Sequence, residues 1–218
     1  TCALTSKEIN RVLTTCKIMT QPESKRAVIA LSHCAIRISE IGQLTVKTVL
    51  FPSGKIKDEI FLPASICKNL RPRTAWLSGK TKKIIQEWID HRKSKKWGVM
   101  PNSFEFQQLN PNSKLIFSCR GYSYSIQDKK RIMKDGTIKI YKACDSLELV
   151  VRAIYKKCGL SSASSHSGRR SLVTNAALSG VDLEYLSMIL GHRSIETTII
   201  YVEISKTRLK EMYKLDWI

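Results

Sequence analysis

Six side chains in this sequence could together cleave a phosphodiester bond. They are Arg37, Lys68, His166, Arg169, His192 and Tyr201. Guanidinium groups bind phosphate oxygens bidentately and stabilise the charge that develops on a phosphate under attack. A lysine can protonate the departing 5′-oxygen, and a histidine can accept or hold the proton of a tyrosine nucleophile. The set indicates attack by Tyr201, with the bond energy conserved in a phosphotyrosine link and no metal ion required.

Four of these residues lie at predicted boundaries of helices and strands. His166 and Arg169 are three residues apart in SHSGRRS (165–171), at the predicted start of a helix. Residues three apart share one face of a helix, so both side chains can face one point. Arg37 lies in AIRISE between two predicted helical segments, and Lys68 lies at a predicted turn between two strands.

Tyr201 ends the stretch LGHRSIETTIIY (190–201), nine residues after His192. A stripe of three apolar residues at helical spacing is expected to pack in the core: Ile195, Ile199 and Val202. At about 100° per residue, Tyr201 points roughly 120° away from the centre of that stripe. Tyr201 is therefore either an ordinary surface residue or a side chain aimed at a ligand.

The assignments have structural alternatives. His192, after Gly191, could be a turn residue, and His166 with Arg169 could be a hydrogen-bonding pair at the helix start. Arg37 could form only an ion pair with Glu40, three residues later. By chemistry alone, Lys57 or Lys80 would serve as well as Lys68.

Composition restricts the class of protein. The 218 residues include 37 Lys and Arg against 18 Asp and Glu, a net charge of +19, which favours a nucleic-acid partner. The 7 cysteines include no Cys-x-x-Cys pair, which argues against a disulfide framework and a structural zinc site. No apolar run reaches about 18 residues and no signal peptide opens the chain, so we expect a cytoplasmic, nucleoid-associated protein with no membrane contact.

The elements that must position these residues are mostly helical. Thr5 and Glu8 predict a capping box at the first helix. Further helices are predicted over 24–34, 77–96, 146–158, 168–179 and 183–190, with glycines suited to left-handed caps after the last three. The helix over 77–96 is expected to bury Ile84, Ile85, Trp88 and Ile89.

A small antiparallel sheet is predicted after the second helical region. Its three strands are VKTVLF (46–51), IKDEIFLP (56–63) and RTAWLS (73–78), with a turn at Ser53-Gly54. KLIFSCR (114–120) predicts one more strand, and residues 131–142 predict a hairpin that turns on Asp135-Gly136. The fold class is therefore mostly α with a small three-stranded antiparallel sheet (α+β), without an internal domain boundary.

The paired C-terminal motifs resemble the signature of the tyrosine recombinases, the phage-integrase family. In that family His-x-x-Arg is followed by Leu-Gly-His and by a tyrosine nine residues beyond that histidine, as in SHSGRR and LGHRSIETTIIY here. The family's first arginine lies in a Gly-x-Arg-x-Ser-Glu motif, which residues 35–40 match with Ala35 in place of glycine. Residues 68–71 resemble the family's lysine hairpin more loosely, and LTSKEINRVL is similar to the usual opening of its catalytic domain.

The resemblance implies a fold, a mechanism and partners. Tyr201 would attack a DNA phosphate to give a 3′-phosphotyrosine and a free 5′-hydroxyl, with Lys68 as general acid. Arg37 and Arg169 would hold the phosphate, and the two histidines would handle protons and contact it. The reaction would need no cofactor, no metal and no small-molecule substrate. The partners would be double-stranded DNA and three further copies of the chain, as a homotetramer on paired sites.

The resemblance also implies that residues 1–218 are the catalytic domain alone, without the N-terminal clamp domain of full-length relatives. Residues 202–218 would dock on a neighbouring subunit. DNA contacts are assigned to Arg170, Arg193, Lys82 and Lys83, although the two lysines could belong to a solvated helix face. Two other functions remain open: a catalytically idle DNA-binding relative, and a related tyrosine enzyme that relaxes DNA or resolves hairpin telomeres.

Overall fold

A computed structural model describes residues 2–133, 135–192, 195–200 and 202, apart from the side chain of Asn69. The helices within these ranges are α1 (Ser6–Cys16), α2 (Pro22–Ser32), α3 (Ile38–Ile41), α4 (Val46–Val49), α5 (Gly79–Ser94), α6 (Asp145–Lys157), α7 (Ser167–Leu178), α8 (Leu183–Leu190) and α9 (Ile195–Ile199). The strands are β1 (Glu59–Leu62), β2 (Arg73–Trp76), β3 (Gln127–Ile132) and β4 (Ile138–Ala143), and short 3-10 turns occupy Lys68–Leu70 and Glu105–Gln108. No described helix is long and apolar enough to cross a membrane.

The predicted helices are confirmed, including their local signals. At α1 the Thr5 hydroxyl accepts from the Glu8 amide, and the Glu8 carboxylate accepts from the Thr5 amide at 2.8 Å. The apolar face predicted for α5 is buried, and that helix packs along α2. The protein is therefore mostly helical with small antiparallel sheets.

The predicted three-stranded sheet is wrong, because its first strand is a turn of helix. Val46, Val49 and Leu50 are all fully buried, and their spacing of three and four residues is helical rather than alternating. The Leu50 amide donates to the Val46 carbonyl at 2.8 Å, which closes α4. Only Leu50 bridges to Ile56 across the expected Ser53-Gly54 turn. The two remaining strands, β1 and β2, form a two-stranded antiparallel sheet.

The strand predicted over 114–120 is also absent from the described structure. Lys114 and Phe117 make isolated bridges to Thr45 and Ser123, and Leu115 donates to the Leu44 carbonyl at 2.7 Å. Leu115, Ile116 and Phe117 are buried, but the residues on either side of them are half-buried or exposed, so this segment is a connection without a ladder of strand hydrogen bonds. The hairpin predicted at Asp135-Gly136 is confirmed: β3 and β4 pair antiparallel as a second two-stranded sheet, and Gly136 has a φ of 78°.

A close approach between α7 and α2 fixes the C-terminal helices on the rest of the domain. At Gly168 a Cβ atom would lie 2.6 Å from Ser32 Oγ and 2.7 Å from the Ser32 carbonyl, so the space admits only glycine. Beyond this contact a second apolar cluster joins Ala35 to α7 and α8 through Val173, Leu186 and Leu190. This cluster positions the segments that carry the predicted site.

The apolar stripe predicted on the last described helix does not pack in the core. Ile195 and Ile199 are 36% and 51% exposed, whereas Thr198 is fully buried. The buried Thr198 hydroxyl lies 3.0 Å from His192 Nδ1, so α9 is attached to α8 by a polar contact. Val202 is half-buried against the second apolar cluster.

Candidate active site

Glu40, in α3, is fully buried between two arginines. Its Oε1 accepts from Arg37 Nη1 at 2.8 Å, and its Oε2 accepts from Arg73 Nη2 at 2.5 Å. The same Oε2 accepts from the Arg37 amide at 2.8 Å, which caps α3. Although burial alone raises the pKa of Glu40, the charges of Arg73 and Arg37 outweigh it and hold that pKa below its usual range. Glu40 is therefore an ionised carboxylate that fixes both guanidinium groups.

The carbonyl of Ala35 holds the third arginine. Arg169 is 1% exposed, and its guanidinium donates to the Ala35 carbonyl and to the Leu190 carbonyl at 2.9 Å. Arg73 donates to the same Ala35 carbonyl at 2.8 Å. Ala35 has a φ of 61°, in the left-handed region, where the resembling motif has glycine. We call Arg37, Arg73 and Arg169, together with Glu40, the arginine cluster.

His192 is brought to this cluster by the end of α8. Gly191 caps the helix with a φ of 63°, and a Cβ there would lie 2.9 Å from Arg73 Cδ. Glycine is thus required by both conformation and space. Desolvation, followed by the charges of Arg169 and Arg37, lowers the pKa of His192 to about 4. The imidazole is neutral at neutral pH.

His166 and Lys68 lie at the surface around the cluster. His166 is the residue before α7, with its Nδ1 3.3 Å from Ser165 Oγ. Partial desolvation and then the charge of Arg169 lower the pKa of His166. Lys68 begins a 3-10 turn between β1 and β2, and desolvation followed by the charge of Arg37 lowers its pKa. An ammonium with a lowered pKa gives up its proton more easily.

Five of the six residues predicted to do chemistry lie within the described structure. Glu40 holds Arg37 and the Ala35 carbonyl holds Arg169, and after desolvation the charges of these two arginines contribute to the lowered pKa values of Lys68, His166 and His192. The sixth, Tyr201, lies outside the described residues. Of the residues predicted to contact DNA, Arg193 also lies outside them, and Arg170 is half-buried in α7. Lys82 pairs with Asp58 beside β1. Lys83 is exposed on α5, so neither lysine takes part in the arginine cluster.

Arg73 is the member of the cluster that the sequence analysis missed. It sits on the inward side of β2, where Arg73 and Ala75 are buried and Trp76 is exposed. An arginine at an inward position of an alternating strand needs a buried acceptor. An arginine at an inward position of β2 is therefore the sequence signal for a buried ion pair. In the structure its acceptor is Glu40.

Comparison with known proteins identifies the family of the chain. The model of the phage integrase family matches residues 3–208. The chain belongs to the phage integrase family. One relative, the tyrosine recombinase XerC of Halalkalibacterium halodurans, is 37% identical over 181 residues, which cover 83% of this chain and 47% of that protein. Another, XerC of Roseiflexus castenholzii, is 24% identical over 206 residues and covers 93% and 55% of the two chains.

Solved structures of the family share the fold. The XerA recombinase aligns with a TM-score of 0.69 at 20% identity, over 100% of this chain and 66% of that one. The XerH site-specific recombinase bound to palindromic difH substrate aligns at 0.66 and 19% identity, over 98% and 52%. The catalytic domain of bacteriophage HP1 integrase aligns at 0.51 and 16% identity, over 99% and 95%. The chain spans about half the length of the XerC relatives that it matches.

Proposed function

We propose that this integrase-family chain cleaves and rejoins DNA strands through a 3′-phosphotyrosine intermediate, as the catalytic domain of a site-specific recombinase. One observation carries the proposal: Arg73 and Arg169 donate to the same Ala35 carbonyl, two residues before Arg37. This contact holds Arg37 and Arg169, which come from distant parts of the chain, beside each other. Two adjacent guanidinium groups are suited to one phosphodiester.

The charge of the cluster supports an anionic ligand. Arg37, Arg73 and Arg169 carry three positive charges and Glu40 supplies one negative charge, so two positive charges are in excess. The side chain of Arg37 is 20% exposed and uses only Nη1 on Glu40, which leaves donors that can face solvent. A phosphate bound there would neutralise the excess and would find its donors already ordered.

The proposed reaction assigns each proton. The Tyr201 hydroxyl attacks phosphorus, the bond from phosphorus to the 5′-oxygen breaks, and a 3′-phosphotyrosine forms. His192, neutral at neutral pH, accepts the tyrosine proton, and Lys68 protonates the departing 5′-oxygen. Arg37 and Arg169 stabilise the charge that develops on the phosphate, and His166 donates a hydrogen bond to it. Attack by a second 5′-hydroxyl reverses these steps on another strand.

The assay uses nicked duplexes of mixed sequence that trap the covalent intermediate through loss of the attacking 5′-end. The full chain is incubated with them in EDTA, and detergent-resistant protein–DNA adducts are counted and sequenced. Adducts are expected from the wild type and not from Tyr201→Phe. Tyr185→Phe is the matched control, because Tyr185 is 63% exposed on α8, and it should form adducts normally. DNA binding without any adduct from the wild type would leave the chain an idle binder, and relaxation of supercoiled DNA by a single subunit would indicate the topoisomerase-like alternative.

We also propose that the chain acts as a homotetramer on paired sites, with residues 202–218 docking on a neighbouring subunit. This segment carries five large apolar residues: Leu209, Met212, Tyr213, Leu215 and Trp217. An apolar groove of about 430 Å³, lined by Leu13, Trp76 and Ile84 among others, is a site of suitable chemistry. Leu209→Ser together with Leu215→Ser should abolish assembly on paired sites in gel-shift assays, while adducts on single sites persist. Unchanged assembly would contradict the docking.

A further inference from the structure

The hairpin formed by β3 and β4 is a basic surface that neither the predicted site nor the core explains. Residues 127–143, hereafter the basic hairpin, contain six Lys and Arg against two Asp. Every residue of its two strands is exposed or half-buried, and Ile132, Ile138 and Ile140 are 74%, 63% and 61% exposed. An isolated two-stranded ribbon is at best marginally stable in water. A ribbon of this kind needs a partner.

The register of the hairpin places like charges against each other. Arg131 lies directly opposite Lys139, and the pair Lys129–Tyr141 shares the same face. Like charges directly opposite each other destabilise a strand pair. Such a pairing is unfavourable in the free protein and becomes favourable when a polyanion lies across it.

The base of the hairpin is fixed on the element that carries Arg37. Cys144 Sγ and Ile126 Cδ1 lie 3.0 and 3.3 Å from the position of a Cβ on Gly42, which ends α3. Lys142 Nζ donates to the Ser65 carbonyl at 3.2 Å, three residues before Lys68. The charges of Lys139 and Arg131 contribute to the lowered pKa of Lys68. The basic face therefore continues the positive surface around Lys68.

We propose that Arg131 and Lys139 of the basic hairpin bind the phosphate backbone of DNA beside the phosphate that the arginine cluster would hold. This inference rests on the proposed function for the identity of the duplex. It adds a contact surface to that function and assigns no chemical step to it. We favour phosphate over an acidic protein segment as the ligand. The basic face of the hairpin adjoins the arginine cluster, and the two excess positive charges of that cluster suit a phosphate.

The test measures how the affinity for a short mixed-sequence duplex depends on salt between about 50 and 200 mM. Each phosphate contact contributes about 0.9 to the slope of log affinity against log salt concentration. Arg131→Gln with Lys139→Gln should therefore reduce the magnitude of the slope by roughly 2 in fluorescence anisotropy. Lys93→Gln with Lys95→Gln, at the end of α5, removes the same charge and should leave the slope unchanged.

A charge-preserving variant separates electrostatics from folding. Arg131→Lys with Lys139→Arg exchanges the two side chains and is expected to keep the wild-type slope. A loss of slope in this variant would show that the identity of each side chain, and not its charge, determines binding, and would overturn the inference. Equal slopes for the wild type and the neutralised variant would overturn it as well.

The outcome is distinct from that of the adduct assay. If the wild type forms adducts and the neutralised variant keeps the wild-type slope, the proposed function stands and the hairpin contact is refuted. If the neutralised variant has a reduced slope and the wild type forms no adducts, the hairpin contact stands and the proposed function is refuted. If the neutralised variant instead alters sedimentation of the free protein without altering the slope, the partner of the hairpin is a second copy of the chain, which contradicts the inference.

Discussion

Two groups of positive charge contribute to the lowered pKa of Lys68, and the protein holds them in different ways. The arginine cluster is buried around Glu40 and the Ala35 carbonyl, and Arg169 is almost fully enclosed. The basic hairpin carries its charge in solvent, and its one described ion pair, between Lys129 and Asp145 at 2.6 Å, joins two side chains that are each about 40% exposed.

The two groups differ in how their charges must be paired before any ligand binds. A buried guanidinium must be paired and hydrogen-bonded before any ligand arrives, because an unpaired buried charge is costly. Exposed charges are screened by water and salt, so their pairing contributes little. The arginine cluster is therefore already ordered in the free protein, whereas the contacts proposed for the hairpin would form only when a polyanion is present. Substitutions should affect folding in the first region and salt-dependent binding in the second.

The largest effect is expected from Glu40→Gln. Removing this charge leaves Arg73 buried without its counter-ion, and the loss of one partner of a buried pair typically costs about 3–5 kcal/mol in the free energy of unfolding. Urea denaturation of the wild type and the variant measures that difference. Adduct formation should fall as well, because Arg37 loses its fixed orientation.

Glu148→Gln is the matched control for Glu40→Gln. Glu148 pairs with Arg152 at 2.7 Å across one turn of α6, where the arginine side chain is 62% exposed. An exposed pair of this kind contributes about 0.3–0.5 kcal/mol. Equal losses for the two substitutions would contradict the division into a buried and an exposed region.

The second prediction concerns the contact that carries Arg169 to the cluster. Gly168→Ala would place a methyl group 2.7 Å from the backbone of Ser32, so α7 must move away from α2. Overpacking of this kind costs about 1–3 kcal/mol, and it should also displace His166 and Arg169 and reduce adduct formation. Gly79→Ala is the control, since no atom lies within 4 Å of its added Cβ. An unchanged free energy of unfolding for Gly168→Ala would show that α7 and α2 are not held together at this contact.

The third prediction is a pH dependence. The pKa of His192 is lowered from 6.5 to about 4 in the folded protein, so the unfolded chain binds the proton first as the pH falls. The contribution of His192 to stability is thus present above about pH 6.5 and is lost as the pH falls toward about 4. His192→Gln should flatten this part of the curve of unfolding free energy against pH. Parallel curves for the wild type and the variant would show that His192 does not cause this part of the pH dependence of stability.

The sequence predicted the helices well because each carries its own period, cap and glycine stop. Family motifs also mark Arg37, His166, Arg169 and His192, and the catalytic roles of these residues stay predictions. The failure of the predicted three-stranded sheet has a physical origin. Val46, Val49 and Leu50 are buried while Lys47 between them is exposed, and a segment this short has too few residues for its period to distinguish a strand from a helical turn. Packing against the rest of the protein determines that residues 46–50 form a helical turn.

Arg73 illustrates the same limit within the site. Its role depends on Glu40, 33 residues earlier, and no local motif joins the two positions. The stripe of Ile195 and Ile199 is wrong for another reason: the helix has only five residues, and its buried side chain is Thr198, which contacts His192. Local pattern fixes elements reliably, while partners across the fold decide which side of a short element faces inward.

The smallest effect is expected from Ala35→Gly, where three contributions nearly cancel. The left-handed conformation of Ala35 costs about 1–2 kcal/mol, which glycine would remove. Glycine costs about 0.5–1 kcal/mol in conformational entropy, and loss of the fully buried methyl group costs about 0.8 kcal/mol more. The free energy of unfolding should therefore change by less than about 1 kcal/mol in urea denaturation. Adduct formation should persist, because the carbonyl that holds Arg73 and Arg169 keeps its direction. A loss comparable to that of Glu40→Gln would mean that the methyl group, and not the carbonyl, organises the arginine cluster.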